Sequence, residues 1–82
     1  MNAPERDPYN TAVAEELSHL VKEQQTGIVR LVRLTGIPRA TLGRYLTGER
    51  DIKVAELRKI ADALNVGIDE ILIQAEGRIE QN

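Results

Sequence analysis

Cysteine is absent from this 82-residue chain, which excludes both a disulfide framework and a thiolate metal site. Phenylalanine and tryptophan are absent as well, and two tyrosines are the whole aromatic complement. Any core must therefore be aliphatic, and a composition rich in Leu, Ile, Val and Ala suits helix packing better than a β-sandwich. No apolar run approaches the roughly 20 residues that cross a bilayer. The opening "MNAPERDPYN" carries no apolar signal region, so the expectation is a cytoplasmic protein with no membrane contact. One histidine is present, His19, with Glu15 and Glu23 on its helix face, and it reads as a surface residue. A lone histidine makes no zinc site, and no nucleophile, base and orienting group stand together. The expectation is that the chain is not an enzyme and takes no cofactor, metal or small-molecule ligand.

What is present is unevenly placed. The net charge is −2, yet residues 28–53 hold Arg30, Arg33, Arg39, Arg44, Arg50 and Lys53 against Glu49 and Asp51, a local charge of +4. The flanking segments, 1–27 and 54–82, each carry −3. Such segregation is what a phosphate-facing surface requires, although a solvated surface of mixed charge would account for it equally well.

Punctuation along the chain predicts five short helices. Residues 1–10 read as a flexible arm, with Pro4 and Pro8 discouraging helix. A first helix is expected over about Thr11 to Gln24, with Asn10 or Thr11 as N-cap and Val13, Leu17, Leu20 and Val21 in one stripe. A second runs from Ile28 to Leu34, and Gly36 follows where a left-handed C-cap residue is wanted. Ile37 precedes Pro38, which pushes it out of the helical region, while the fixed φ of Pro38 suits a helix start. The third helix then covers Pro38 to Leu46 and closes at "TGERD". A fourth, Val54 to Leu64, ends at Asn65 and Gly67, and a fifth runs from Ile68 to about Ala75. The domain is expected over 11–76, with 77–82 a frayed tail.

Helices two and three, joined by a tight glycine turn, have the form of a helix-turn-helix. Leu31 and Val32 face the following helix, Gly36 makes the turn, Ile37 plugs the core, and Leu42 begins the buried face of helix three. Projected at about 100° per residue, Leu42, Tyr45 and Leu46 fall on one side of helix three, and Ala40 and Arg44 lie nearly opposite Leu42. Thr41, Gly43 and Thr47 border the outer face, and Arg39 sits in the first turn. Gly43 costs about 1 kcal/mol relative to alanine in a helix interior, for which either a close backbone approach to DNA or a packing need would compensate.

The run from Val13 to Leu72 resembles the helix-turn-helix domain of the Cro and lambda-repressor-like (XRE) regulators of bacteria and phage. The residues that carry the likeness are Val13, Leu17 and Leu20, the turn "GIPRATLGRYLTGER" and the segment "VAELRKIADALNVGIDEIL". The resemblance implies an all-α, compact five-helix lambda-repressor-like domain that places helix three in the major groove. It implies base contacts from Arg39, Ala40 and Arg44, and backbone contacts from Thr41, Thr47, Arg50 and Lys53. Arg30 and Arg33 divide evenly between phosphate contact and solvation. The sequence departs from the family pattern at Ile28, where glutamine is frequent, at Val32 for a small alanine, at Thr35 for an apolar residue, and at Pro38 for a Ser or Thr cap.

Leu34, Leu46, Ile73 and Ile79 are hard to bury in so small a domain. Ile73 and Ile79 are therefore candidates for a homodimer contact, with a palindromic duplex operator read by two copies. The plainer alternative is that Leu46 and Ile73 complete the core. The function expected is a sequence-specific transcriptional regulator of Cro-like repressor type. Two other readings stay open: a DNA-binding antitoxin that holds a toxin partner, and a protein-interaction module that has lost DNA binding.

Overall fold

The computed structural model describes residues 7–81, and five helices account for most of them. They are α1 (Pro8–Glu23), α2 (Ile28–Thr35), α3 (Arg39–Thr47), α4 (Val54–Ala63) and α5 (Ile68–Glu80). Among the described residues no helix is long and apolar enough to cross a membrane.

The interior is aliphatic, as the lack of Phe and Trp requires. Leu17, Leu31, Ile37, Leu42, Ile60, Leu64 and Ile71 are fully buried around Tyr45, the one aromatic ring at the centre. Each helix contributes one stripe. α1 packs on α5 and α3, α2 packs on α4 and α3, and α4 closes against α5. Side chains also tie the ends of distant helices to main-chain groups. The Ser18 hydroxyl donates to the Leu46 carbonyl at 2.7 Å, and the Gln24 amide donates to the Leu64 carbonyl at 2.8 Å. Both carbonyls lie near helix C-termini, where main-chain acceptors lack an intrahelical donor.

The turn between α2 and α3 follows from its sequence. Gly36 stands at φ 72°, a region open to glycine at little cost, and its N–H caps the Val32 carbonyl at 2.8 Å. Thr35, polar where the family pattern is apolar, is buried and satisfied on both sides. Its hydroxyl donates to the Leu31 carbonyl at 2.7 Å and accepts from the Ile37 N–H at 3.1 Å. The threonine therefore fixes the turn that Ile37 enters the core from. Pro38 is the N-cap of α3 rather than its first residue, and no side chain caps the helix there.

Two expectations about the ends of the domain are corrected. Residues 8–10 are not part of an arm: α1 begins at Pro8, capped by Asp7, whose carboxylate accepts from the Tyr9 N–H at 2.9 Å. Proline opposes a helix interior but suits the first helical position, where no N–H is needed. Residues 1–6 of the expected arm lie outside the described residues. The second correction concerns the tail: 77–80 are helical, continuing α5 to Glu80. Arg78 holds that extension to α1 through two hydrogen bonds to Glu16, at 2.9 and 3.2 Å, and the Tyr9 hydroxyl donates to Glu76 at 2.9 Å.

Candidate nucleic-acid interface

α3 has nine residues and two very different sides. Leu42 and Tyr45 are fully buried, while Arg39, Ala40, Arg44 and Thr47 are exposed. By helical geometry Arg39, Gly43, Thr47, Ala40 and Arg44 share an arc of about 140° centred opposite the buried pair. Gly43 lies inside this arc, not at its border. A Cβ built on it meets nothing within 4 Å among the described residues, so no packing need inside the chain calls for glycine there. Thr41 falls outside the arc and is half-buried.

None of the cations on this side has an anionic partner within ion-pair distance among the described residues. Among the described residues the contacts between basic and acidic side chains are the Glu16–Arg78 ion pair and the exposed His19–Glu23 contact at 3.5 Å. Arg30, Arg33, Arg39, Arg44 and Lys53 are exposed and take part in neither. Arg30 and Arg33 occupy the outer side of α2, flanked by the exposed apolar residues Val29 and Leu34.

The loop after α3 is fixed more tightly than its length suggests. Gly48, at φ 81°, reverses the chain with its N–H on the Tyr45 carbonyl. The Arg50 N–H donates to the Arg44 carbonyl at 3.3 Å, and the Thr47 hydroxyl donates to the same carbonyl at 3.2 Å. A phosphate at Thr47 must therefore compete with this internal acceptor for the hydroxyl proton. The Arg50 guanidinium lies over the Tyr45 ring, 6.0 Å from its centroid, at the outer limit of a cation–π contact. Beneath it the Tyr45 hydroxyl donates to Glu56 of α4. This hydrogen bond is the main cause that raises the phenol above its ordinary ionisation range; burial and the Glu56 charge add to it, and Arg50 opposes it.

One contact to the loop was missed by the sequence reading. Asn10, in the first turn of α1, accepts from the Ile52 N–H at 3.0 Å and donates to the Arg50 carbonyl at 3.4 Å. The signal that could have found it is the Asp-Pro pair at Asp7 and Pro8, which marks a helix start and places Asn10 inside α1.

The two dimer candidates do not lie together. Six residues separate Ile73 from Ile79, a rotation of about 240° around a helix. Ile73 is 64% exposed, whereas Ile79 packs against the core beside Pro8, Thr11 and Ala12. Leu46 is half-buried against the core, and Leu34 is 49% exposed.

A helix-turn-helix family model matches residues 29–71, just over half of the chain, from the first turn of α2 to the first turn of α5. No curated protein and no solved structure gave a match. The matched segment contains the turn at Gly36, the exposed arc of α3 and the loop at Arg50, and with it the chain belongs to the XRE, lambda-repressor-like helix-turn-helix family of DNA-binding transcription regulators.

Proposed function

We propose that this protein is a sequence-specific repressor of bacterial or phage type, similar to Cro, that acts by occupying DNA and not by catalysis. α3 enters the major groove. Arg39 and Arg44 fork to guanine O6 and N7, and Ala40 touches a thymine methyl. Thr41, Thr47, Arg50 and Lys53 hold the phosphates beside the groove, with Arg30 and Arg33 of α2 reaching the backbone on the near side. The observation that carries this reading is the arc of α3, which presents Arg39 and Arg44 with no carboxylate partner among the described residues.

Two copies meet on a palindromic site with half-site centres about 34 Å apart, through the outer face of α5 that bears Ile73. Asp69, Glu70 and Glu80 are exposed around that residue and repel their counterparts in a second copy. The pairing is accordingly weak in free solution and forms on DNA, where both copies are held in place.

Selection from a random duplex pool at two salt concentrations tests the proposal. An enriched palindrome with a steep salt slope, roughly 0.9 per phosphate neutralised, is the expected result. No enrichment at low salt overturns it. That outcome would favour protein interaction instead, for which Val29, 67% exposed, and Leu34 beside Arg30 and Arg33 are the residues to examine.

A further inference from the structure

We infer that Asn10 is a positioning residue for DNA binding: from the first turn of α1 it holds the loop that presents Arg50 to the phosphate backbone. The inference rests on the DNA-binding reading above and assigns a role to a residue outside the helix-turn-helix itself.

The geometry is that of a two-ended clamp. An asparagine side chain offers one acceptor and a two-proton donor on the same amide. Asn10 uses both on main-chain groups two residues apart, accepting from the Ile52 N–H and donating to the Arg50 carbonyl. These groups have no helical partner, because the segment between Thr47 and Val54 lies between α3 and α4. The N–H of Arg50 is held separately by the Arg44 carbonyl. Arg50 thus has its main chain fixed at both ends, toward α3 on one side and toward α1 on the other, while its guanidinium rests near the Tyr45 ring and stays exposed.

Such a clamp acts on binding through preorganisation. A phosphate contact from a loose loop must first restrict that loop, and the entropy lost is subtracted from affinity. With the loop already fixed, Arg50 meets the backbone in one arrangement, in register with Arg44. The clamp also makes the first turn of α1 part of the DNA-binding apparatus. Asp7 caps that turn and Pro8 starts it, so the segment "DPYN" serves the loop some 40 residues further on.

The test combines hydrogen exchange with a double-mutant cycle on mixed-sequence duplex, which reads phosphate contacts without needing an operator. Asn10→Ala should speed exchange of the Ile52 amide while the amides of Leu17 and Ile60 keep their protection, showing an intact fold. It should weaken duplex binding by about three- to tenfold at low salt and flatten the salt slope by up to about one. In an Arg50→Ala background the same substitution should cost nothing further, and in an Arg39→Ala background its full cost should remain. An equal cost in the Arg50→Ala background overturns the positioning role. An Ile52 amide that exchanges no faster overturns the clamp itself. A wild-type chain that binds no duplex overturns the DNA-binding reading, and the positioning role falls with it, whatever the Ile52 amide shows.

Discussion

Between α1 and α5, Glu16 meets Arg78 at 2.9 Å and Tyr9 donates to Glu76; on α2 and α3, Arg30, Arg33, Arg39 and Arg44 meet no carboxylate among the described residues. The first region uses its polar side chains to hold two helices together and lies in segments that each carry a charge of −3. The second holds itself together with Leu31, Ile37, Leu42 and the Thr35 hydroxyl, and leaves its cations to solvent within a segment of +4. The difference separates two uses of charge in one small domain. Internal pairing fixes the scaffold, and an unpaired positive surface waits for an external anion. Substitutions in the two regions should consequently fail in different assays.

The largest effect should come where both regions depend on the same atoms. Leu42 is fully buried beneath the exposed arc of α3. Leu42→Ala should cost about 2–5 kcal/mol of stability, enough to leave much of the protein unfolded, and DNA binding should disappear with it. Thermal and denaturant unfolding followed by circular dichroism measure the loss.

Breaking the scaffold pair should separate the assays. Glu16 is 6% exposed, so Arg78→Ala strands a buried carboxylate and should cost about 1.5–3 kcal/mol of stability. At temperatures where the variant remains folded, its affinity for duplex should match the wild type, because the pair joins α1 and α5 far along the chain from Arg39 and Arg44. An affinity loss beyond the unfolded fraction would break the division between the regions. Arg44→Ala is the reverse case. It removes an exposed side chain and should leave stability within about 0.5 kcal/mol, yet cost about 1–3 kcal/mol of binding to the selected duplex and relax the choice of base at one position. Equal weakening on all duplexes would move Arg44 from the base edges to the backbone.

How far these regions were legible in the sequence also differs, for a physical reason. The turn from α2 to α3 is written locally: Gly36, Ile37 and Pro38 each restrict or extend φ and ψ in a way that needs no tertiary partner, and the helix limits there fell within a residue of expectation. The same period of 3.6 residues that placed Leu42 and Tyr45 inside left Arg39, Ala40 and Arg44 outside. The ends of the domain were not legible in this way. Pro8 is compatible with both a loop and a first helical turn, and the Asp7 cap decides between them. The extension of α5 to Glu80 depends on Arg78 and Glu16, which are 62 residues apart, and Asn10 finds its loop 40 and 42 residues away. Such pairings exist only once the helices have docked. The Ile73 and Ile79 pair is a separate case, since their six-residue spacing already placed them on different faces of one helix.

The smallest expected effect bears most directly on why the α3 side is built as it is. Gly43 lies in a helix interior, where glycine is less favourable than alanine by about 1 kcal/mol because it loses more backbone freedom on folding. No neighbour among the described residues would meet an added methyl within 4 Å. Gly43→Ala should therefore stabilise the protein by about 0.5–1 kcal/mol, a rise of several degrees in Tm for a domain of this size. An equivalent glycine in the scaffold offers the control. Gly77 of α5 also meets nothing within 4 Å, so Gly77→Ala should give a similar gain. Matching gains would show that the glycine of α3 answers no structural need that the glycine of α5 lacks. Binding to duplex, measured on both variants, then compares a methyl inside the arginine arc with one on the opposite side of the division. A loss confined to Gly43→Ala would assign the missing side chain to close approach of DNA, and it would do so in a protein that the substitution had made more stable.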